Sequence, residues 1–177
     1  MKRRLVLEVT QCAEKRFDNY HFHKNLPFIA PEPSSFVSVN SDGSKRRADY
    51  SARDAFDLRM MMEFTDNGGV DVNSAKYAAS NAWRKLLTAS ERAPTSDLYL
   101  VLVQERPVEG FQPRQLFAGT LDEVPALIAE NTAAEAVQRI VLVNASEASR
   151  FVVSSLKHFG VISDEDQRPA WLLDDAF

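Results

Sequence analysis

A chain of 177 residues, with 45% hydrophobic and 26% charged side chains, has the make-up of one folded domain and excludes wholesale disorder. No apolar run approaches the ~18 residues of a membrane-spanning helix. The single cysteine, Cys12, excludes an internal disulfide or a Cys-based zinc site and points to a reducing, cytoplasmic setting.

The net charge of −4 divides unevenly. Residues 1–90 carry a net +3 and residues 91–177 a net −7, a polarity that bears on the choice of partner.

Met1-Lys2-Arg3-Arg4 is a basic start without the apolar core of a signal peptide. Residues 4–10 predict a first strand, with Leu5, Leu7 and Val9 on its core side. The stretch from Asn19 to Ile29 predicts an edge strand through Tyr20, Phe22, Leu26 and Phe28, ended by Pro27, Pro31 and Pro33. Phe36, Val37 and Val39 predict a third strand, closed by the turn residues Asn40-Ser41-Asp42-Gly43-Ser44.

Two helices follow. Ser51 to Asp54 is a start signal, with Phe56, Met60 and Phe64 recurring at helical spacing until Asn67-Gly68-Gly69. From Asp71 the apolar positions are Val72, Ala75, Ala79, Ala82 or Trp83, and Leu86, with Pro94 and Ser96 closing the pattern.

The back half alternates strand and helix. Leu98 to Val103 reads as a strand buried on both faces, and Gln115 to Ala118 as a short neighbour across the loop of Pro107, Gly110 and Pro113. Thr120 to Glu123 is a capping box opening a helix through Leu127 and Ile128. Ile140 to Val143 is another strand. Asn144 to Glu147 caps a last helix with Ala148, Val152, Leu156 and Phe159 on one face and Gly160 as its stop. The fold class is α+β. An antiparallel hairpin and two helices form the front half, and a βαβα-like, partly parallel mixed sheet forms the back half. The organisation is a single domain over 1–177 with room for two lobes, 1–93 and 97–162, and an acidic tail over 163–177.

Several chemistries are excluded by motif. The chain has no phosphate-binding glycine loop, no G-x-G-x-x-G, no G-x-S-x-G elbow and no H-E-x-x-H helix. His21-Phe22-His23 resembles the histidine pair on the strand of α-type carbonic anhydrases. That family's third ligand would fall near Lys45-Arg46-Arg47, where there is no histidine. Cys12 and His158 are the only other soft ligands, and His158 with Lys157 suits a helix C-terminus. No metal, no cofactor and no catalytic residue is expected.

Two features point to binding. Lys15, Arg16, Phe17, Tyr20, Phe22 and Lys24 interleave bases and aromatics on a predicted loop and edge strand, and Lys45, Arg46 and Arg47 follow a turn. Single-stranded nucleic acid is held by such mixtures, the rings stacking on bases and the cations tracking phosphates. At the other end, Asp174-Asp175-Ala176-Phe177 resembles the tails of bacterial and phage single-stranded-DNA-binding proteins, though without their Ile-Pro. The resemblance implies that Asp174, Asp175 and Phe177 dock a protein partner. The opposing expectation is that Trp171 and Leu172 pack on the domain. The expected function is a non-enzymatic, nucleic-acid-associated accessory factor with a protein-docking tail. The alternatives are a protein-only adaptor or inhibitor using its acidic back half, and a small enzyme of unrecognised type.

Overall fold

The computed structural model describes residues 1–30 and 50–172, together with the backbone of Ser38–Val39 and Lys45–Arg46. The chain opens with two helices, α1 (Arg3–Thr10) and α2 (Glu14–Phe22), where strands are expected from the sequence. A short apolar run such as Leu5 to Val9, interrupted by Glu8, does not distinguish a strand period from a helical one, and tertiary packing decides it here. In helical register Val6, Val9 and Thr10 share the buried side, and Arg4 meets Glu8 one turn on at 3.0 Å. Phe17 and Tyr20 likewise fall together on the buried side of α2.

Of the predicted third strand, the described part is β1 (Ser38–Val39), paired antiparallel with β2 (Lys45–Arg46). Helix α3 (Ala52–Asp66) starts at the expected signal. The Asp54 amide donates to Ser51 Oγ at 3.0 Å, and the Ser51 amide donates to Asp54 Oδ2 at 2.8 Å. This reciprocal pair satisfies two of the amides that every helix start leaves open. Phe56, Leu58, Met60, Met61 and Phe64 are all fully buried, so α3 is the central helix. Helix α4 (Val72–Arg92) packs against it through Ala75, Ala78, Ala79 and Ala82, small residues that let two backbones approach.

The back half supplies β3 (Tyr99–Glu105), β4 (Arg114–Gly119), α5 (Val124–Asn131), β5 (Val137–Asn144) and α6 (Ala145–His158). The three strands form one sheet in the order β4-β3-β5, antiparallel throughout. The partly parallel pairing expected from the strand–helix–strand order is therefore not present. The reason is topological: β4 and β5 do run the same way on either side of α5, but β3 lies between them. One face of the sheet, carrying Leu100, Leu102, Leu116, Val141 and Val143, packs on the helical layer. The other face, carrying Val101 and Val103, is covered by Val124 and Ile128 of α5. The result is an α+β fold, with the β3 run buried on both faces as its composition requires.

At the end of the described chain Trp171 and Leu172 are buried, packed in the main core. Phe159, expected on the buried face of α6, lies past the helix end and is exposed, while Gly160 takes the positive φ of +66° that a helix stop demands. Among the described residues no helix is long and apolar enough to cross a membrane.

Candidate functional site

The basic–aromatic residues of the front half divide when the strand becomes a helix. On a strand Tyr20 and Phe22 would share a face. On α2 Phe17 and Tyr20 share one, and both are buried. Phe17 meets Tyr50 edge-on at 6.1 Å, and with Tyr20 buried as well neither Phe17 nor Tyr20 is offered to a base. Arg16 is also engaged. Its Nη1 and Nη2 each donate to an Asp66 carboxylate oxygen at 2.7 Å, Nη2 reaches Thr65 Oγ1 at 2.6 Å, and Nε donates to Tyr20 Oη at 2.7 Å. The guanidinium holds the Asp66 carboxyl below the usual carboxylate range, and the fork fastens α2 to the end of α3.

Lys15, Phe22 and Lys24 face solvent, Phe22 at 81% exposure with His23 edge-on beside it. The Lys24 carbonyl accepts from Lys76 Nζ at 2.5 Å, bringing this corner against α4 and near the exposed Tyr77. The side chains of Lys45 and Arg46, together with Arg47, Asp174, Asp175 and Phe177, lie outside the described residues.

His21 and His23, two apart on α2 and its cap, no longer share a face as they would on a strand. Cys12 is buried, and burial pushes its thiol up. Among the described residues no three His, Cys, Asp or Glu side chains gather as a metal site.

A broad concavity lies elsewhere among the described residues. A cleft of about 1000 Å³ is bounded by the end of α4 (Leu87, Ser90, Glu91), the segment 93–98, helix α6 and residues 167–171. Its α6 wall presents Ser146, Ser149, Arg150, Val153, Ser154 and Lys157, which recur three and four apart and so form one stripe over three turns. This stripe is about 16 Å long at 1.5 Å per residue.

The wall is braced from both sides. Ser146 Oγ accepts the Leu98 amide at 2.9 Å, tying α6 to the start of β3. Ser149 Oγ accepts the Trp171 indole N–H at 3.2 Å and donates to the Ala145 carbonyl at 2.8 Å. Arg150 meets Asp97 two-pronged, at 2.6 and 3.2 Å, and this hydrogen-bonded pairing holds the Asp97 carboxyl below its ordinary range. Lys157 Nζ donates to the Asp164 carbonyl at 2.7 Å. The lining thus offers hydroxyls, apolar side chains and two cations on α6, facing Glu91 and Asp97 on the opposite wall. Neither histidine nor cysteine is among the lining residues.

The inward-facing periodicity of α6 picks out Ala148, Val152 and Leu156 and not the serine-bearing stripe beside them. The repeat Ser146, Ser149, Ser154 is the local signal that was there to find. Compared with known proteins, the chain matches no family model and no curated protein sequence.

Proposed function

We propose that the protein is a non-catalytic protein-binding module that holds an extended segment of a partner in the cleft between α4 and α6. The observation that carries this reading is the three-turn stripe on α6. Its length of about 16 Å equals about five residues of extended chain at ~3.3 Å each. The volume of about 1000 Å³ is at the upper end of what ligand sites offer, which suits a peptide better than a small metabolite. The lining matches a peptide's needs: hydroxyls for its backbone, Leu87 and Val153 for an apolar side chain, and Lys157 for an acidic one. All of the site but Leu87 and Ser90 lies in the acidic back half, as a protein-only adaptor would have it.

The test is selection from a library of random linear heptapeptides against the full chain. A consensus spanning about five positions should emerge, and binding should be lost in Ser154→Trp, which fills the cleft from an exposed position. Failure to enrich any consensus, or undiminished binding to the variant, counts against the reading.

A second reading has its own support. Phe22 is an exposed ring flanked by Lys24, with Lys15, Lys76 and Tyr77 near it or on the adjoining helix, a combination that suits a single-stranded nucleic acid. Fluorescence anisotropy with oligothymidine decides it. Binding should weaken steeply with salt and fall in Phe22→Ala; no binding at low salt removes it.

A further inference from the structure

The two edges of the sheet are treated differently. In the antiparallel ladder, residues opposite each other alternate between hydrogen-bonded and non-bonded pairs. The Ala145 amide donates to the Leu98 carbonyl, and the Arg106 amide to the Ala136 carbonyl. With the pairs Leu100↔Val143, Leu102↔Val141 and Gln104↔Arg139, this assigns the bonds with β3 to Arg139, Val141 and Val143. The N–H and C=O groups of Ile140 and Leu142 therefore point away from β3, along the free edge.

The same logic on the other side turns the Ala118 carbonyl of β4 outward, and there Arg92 Nη2 donates to it at 3.3 Å. Helix α5 packs beside β4, and Pro113 stands at its start. These are the usual ways a protein blunts a strand edge. On β5, among the described residues, nothing bonds to the outward groups of Ile140 or Leu142. Their side chains lie on the α5 face of the sheet beyond the reach of α5, 41% and 40% exposed. The strand holds no proline or lysine, and its one charge, Arg139, is bent onto the Gly68 and Gly69 carbonyls.

We propose that the β5 edge is the interface of a symmetric homodimer, in which β5 of two copies pair antiparallel to make one continuous six-stranded sheet. A two-fold axis through Val141 carries this assignment. It sets Ile140 of each copy opposite Leu142 of the other, both with outward hydrogen-bonding groups, so the free edge is satisfied by its own copy. The four side chains then form one aliphatic patch on the sheet surface. The same register sets Arg139 opposite Val143 and Gln138 opposite Asn144, so no like charges meet. A one-residue slip would face outward groups with inward ones and turn the aliphatic pairs to opposite faces.

The test is sedimentation equilibrium of the full chain over a wide concentration range, with amide hydrogen exchange on the same samples. The wild type should approach twice the chain mass. The amides of Ile140 and Leu142 should gain protection as concentration rises, while those of Val141 and Val143, held in the β3 ladder, stay protected throughout. Leu142→Lys should raise the dissociation constant by roughly 100-fold, since it puts a charge where two aliphatic chains meet. Ile140→Lys, with the same expectation, serves if the first variant folds poorly. A monomer at every concentration overturns the proposal. So does a dimer that survives both lysine variants, or an Ile140 amide protected equally at all concentrations.

Discussion

Two carboxylates show how single residues hold this fold. Asp71 caps α4, accepting the Ser74 amide at 3.0 Å, and Gln104 reaches Ser74 Oγ at 3.1 Å from the polar end of the sheet's helix-facing side, where Arg114 and Arg139 stand opposite it. Burial pushes the Asp71 carboxyl up, but the hydrogen bonds from Ser74 and the charge of Arg114 outweigh it, leaving the group below its ordinary range. Asp66 is held down by Arg16. A carboxyl lowered in the folded state adds stability above its unfolded pKa of ~3.9 and loses it as pH falls through the folded value. Urea unfolding should therefore show flat stability from neutral pH to about 5 and a decline below about 4. Asp71→Asn should lower stability at neutral pH and make that decline shallower. An unchanged acid limb in this variant would remove Asp71 from the account. At the chain's end, Trp171 is buried with its indole bonded to Ser149. Trp171→Ala should cost about 3–5 kcal/mol and Trp171→Phe about 1 kcal/mol, read by thermal melting. A melt unmoved by the alanine would mean that the segment does not pack as described.

Among the elements, those with local punctuation were legible in the sequence, except that the Thr120–Glu123 capping box does not open its helix: α5 starts at Val124, and only the Thr120 amide's bond to Glu123 Oε2, at 2.9 Å, is formed. Both long helices begin at their capping residues, and α6 stops at Gly160, because caps and left-handed stops act within a few residues. The first two helices were not legible. Residues 4–10 satisfy a strand and a helix alike, and the choice is made by the core around α3, which Val6 and Phe17 join. The sheet order was hidden for a similar reason: β4–α5–β5 has the form of a parallel unit, and only β3, earlier in the chain, separates its strands. The turn after α3 is tightly fitted. A Cβ on Gly68 would lie 2.6 Å from the Phe64 carbonyl oxygen and 2.7 Å from Val141 Cγ1, both too close to be relieved by rotation of a flexible chain. Gly68→Ala should lower stability by about 1–3 kcal/mol in urea unfolding. An alanine variant as stable as the wild type would show that α3 and β5 can separate there at no cost.

For the whole molecule, the α+β class could be read from composition and periodicity, whereas the cleft could not. Its walls come from residues 87–98, 146–157 and 167–171, and they meet only because the start of β3, reached from α4, pairs with the end of β5, where α6 begins, and Trp171 folds back. Periodicity reveals the faces that helices bury; a binding cleft is made of faces left over. The basic–aromatic surface is narrower than the sequence suggests for the converse reason, since Phe17 and Tyr20 are available on a loop running into an edge strand and buried on α2. The most direct measurement is a titration of the labelled full chain with the heptapeptide selected on it, followed by amide and indole NMR shifts. The account predicts saturable shifts at Ser149, Val153, Lys157 and the Trp171 indole, and their absence in Ser154→Trp. Shifts confined to the Phe22–Lys24 corner or the β5 edge, or no saturation, would contradict it.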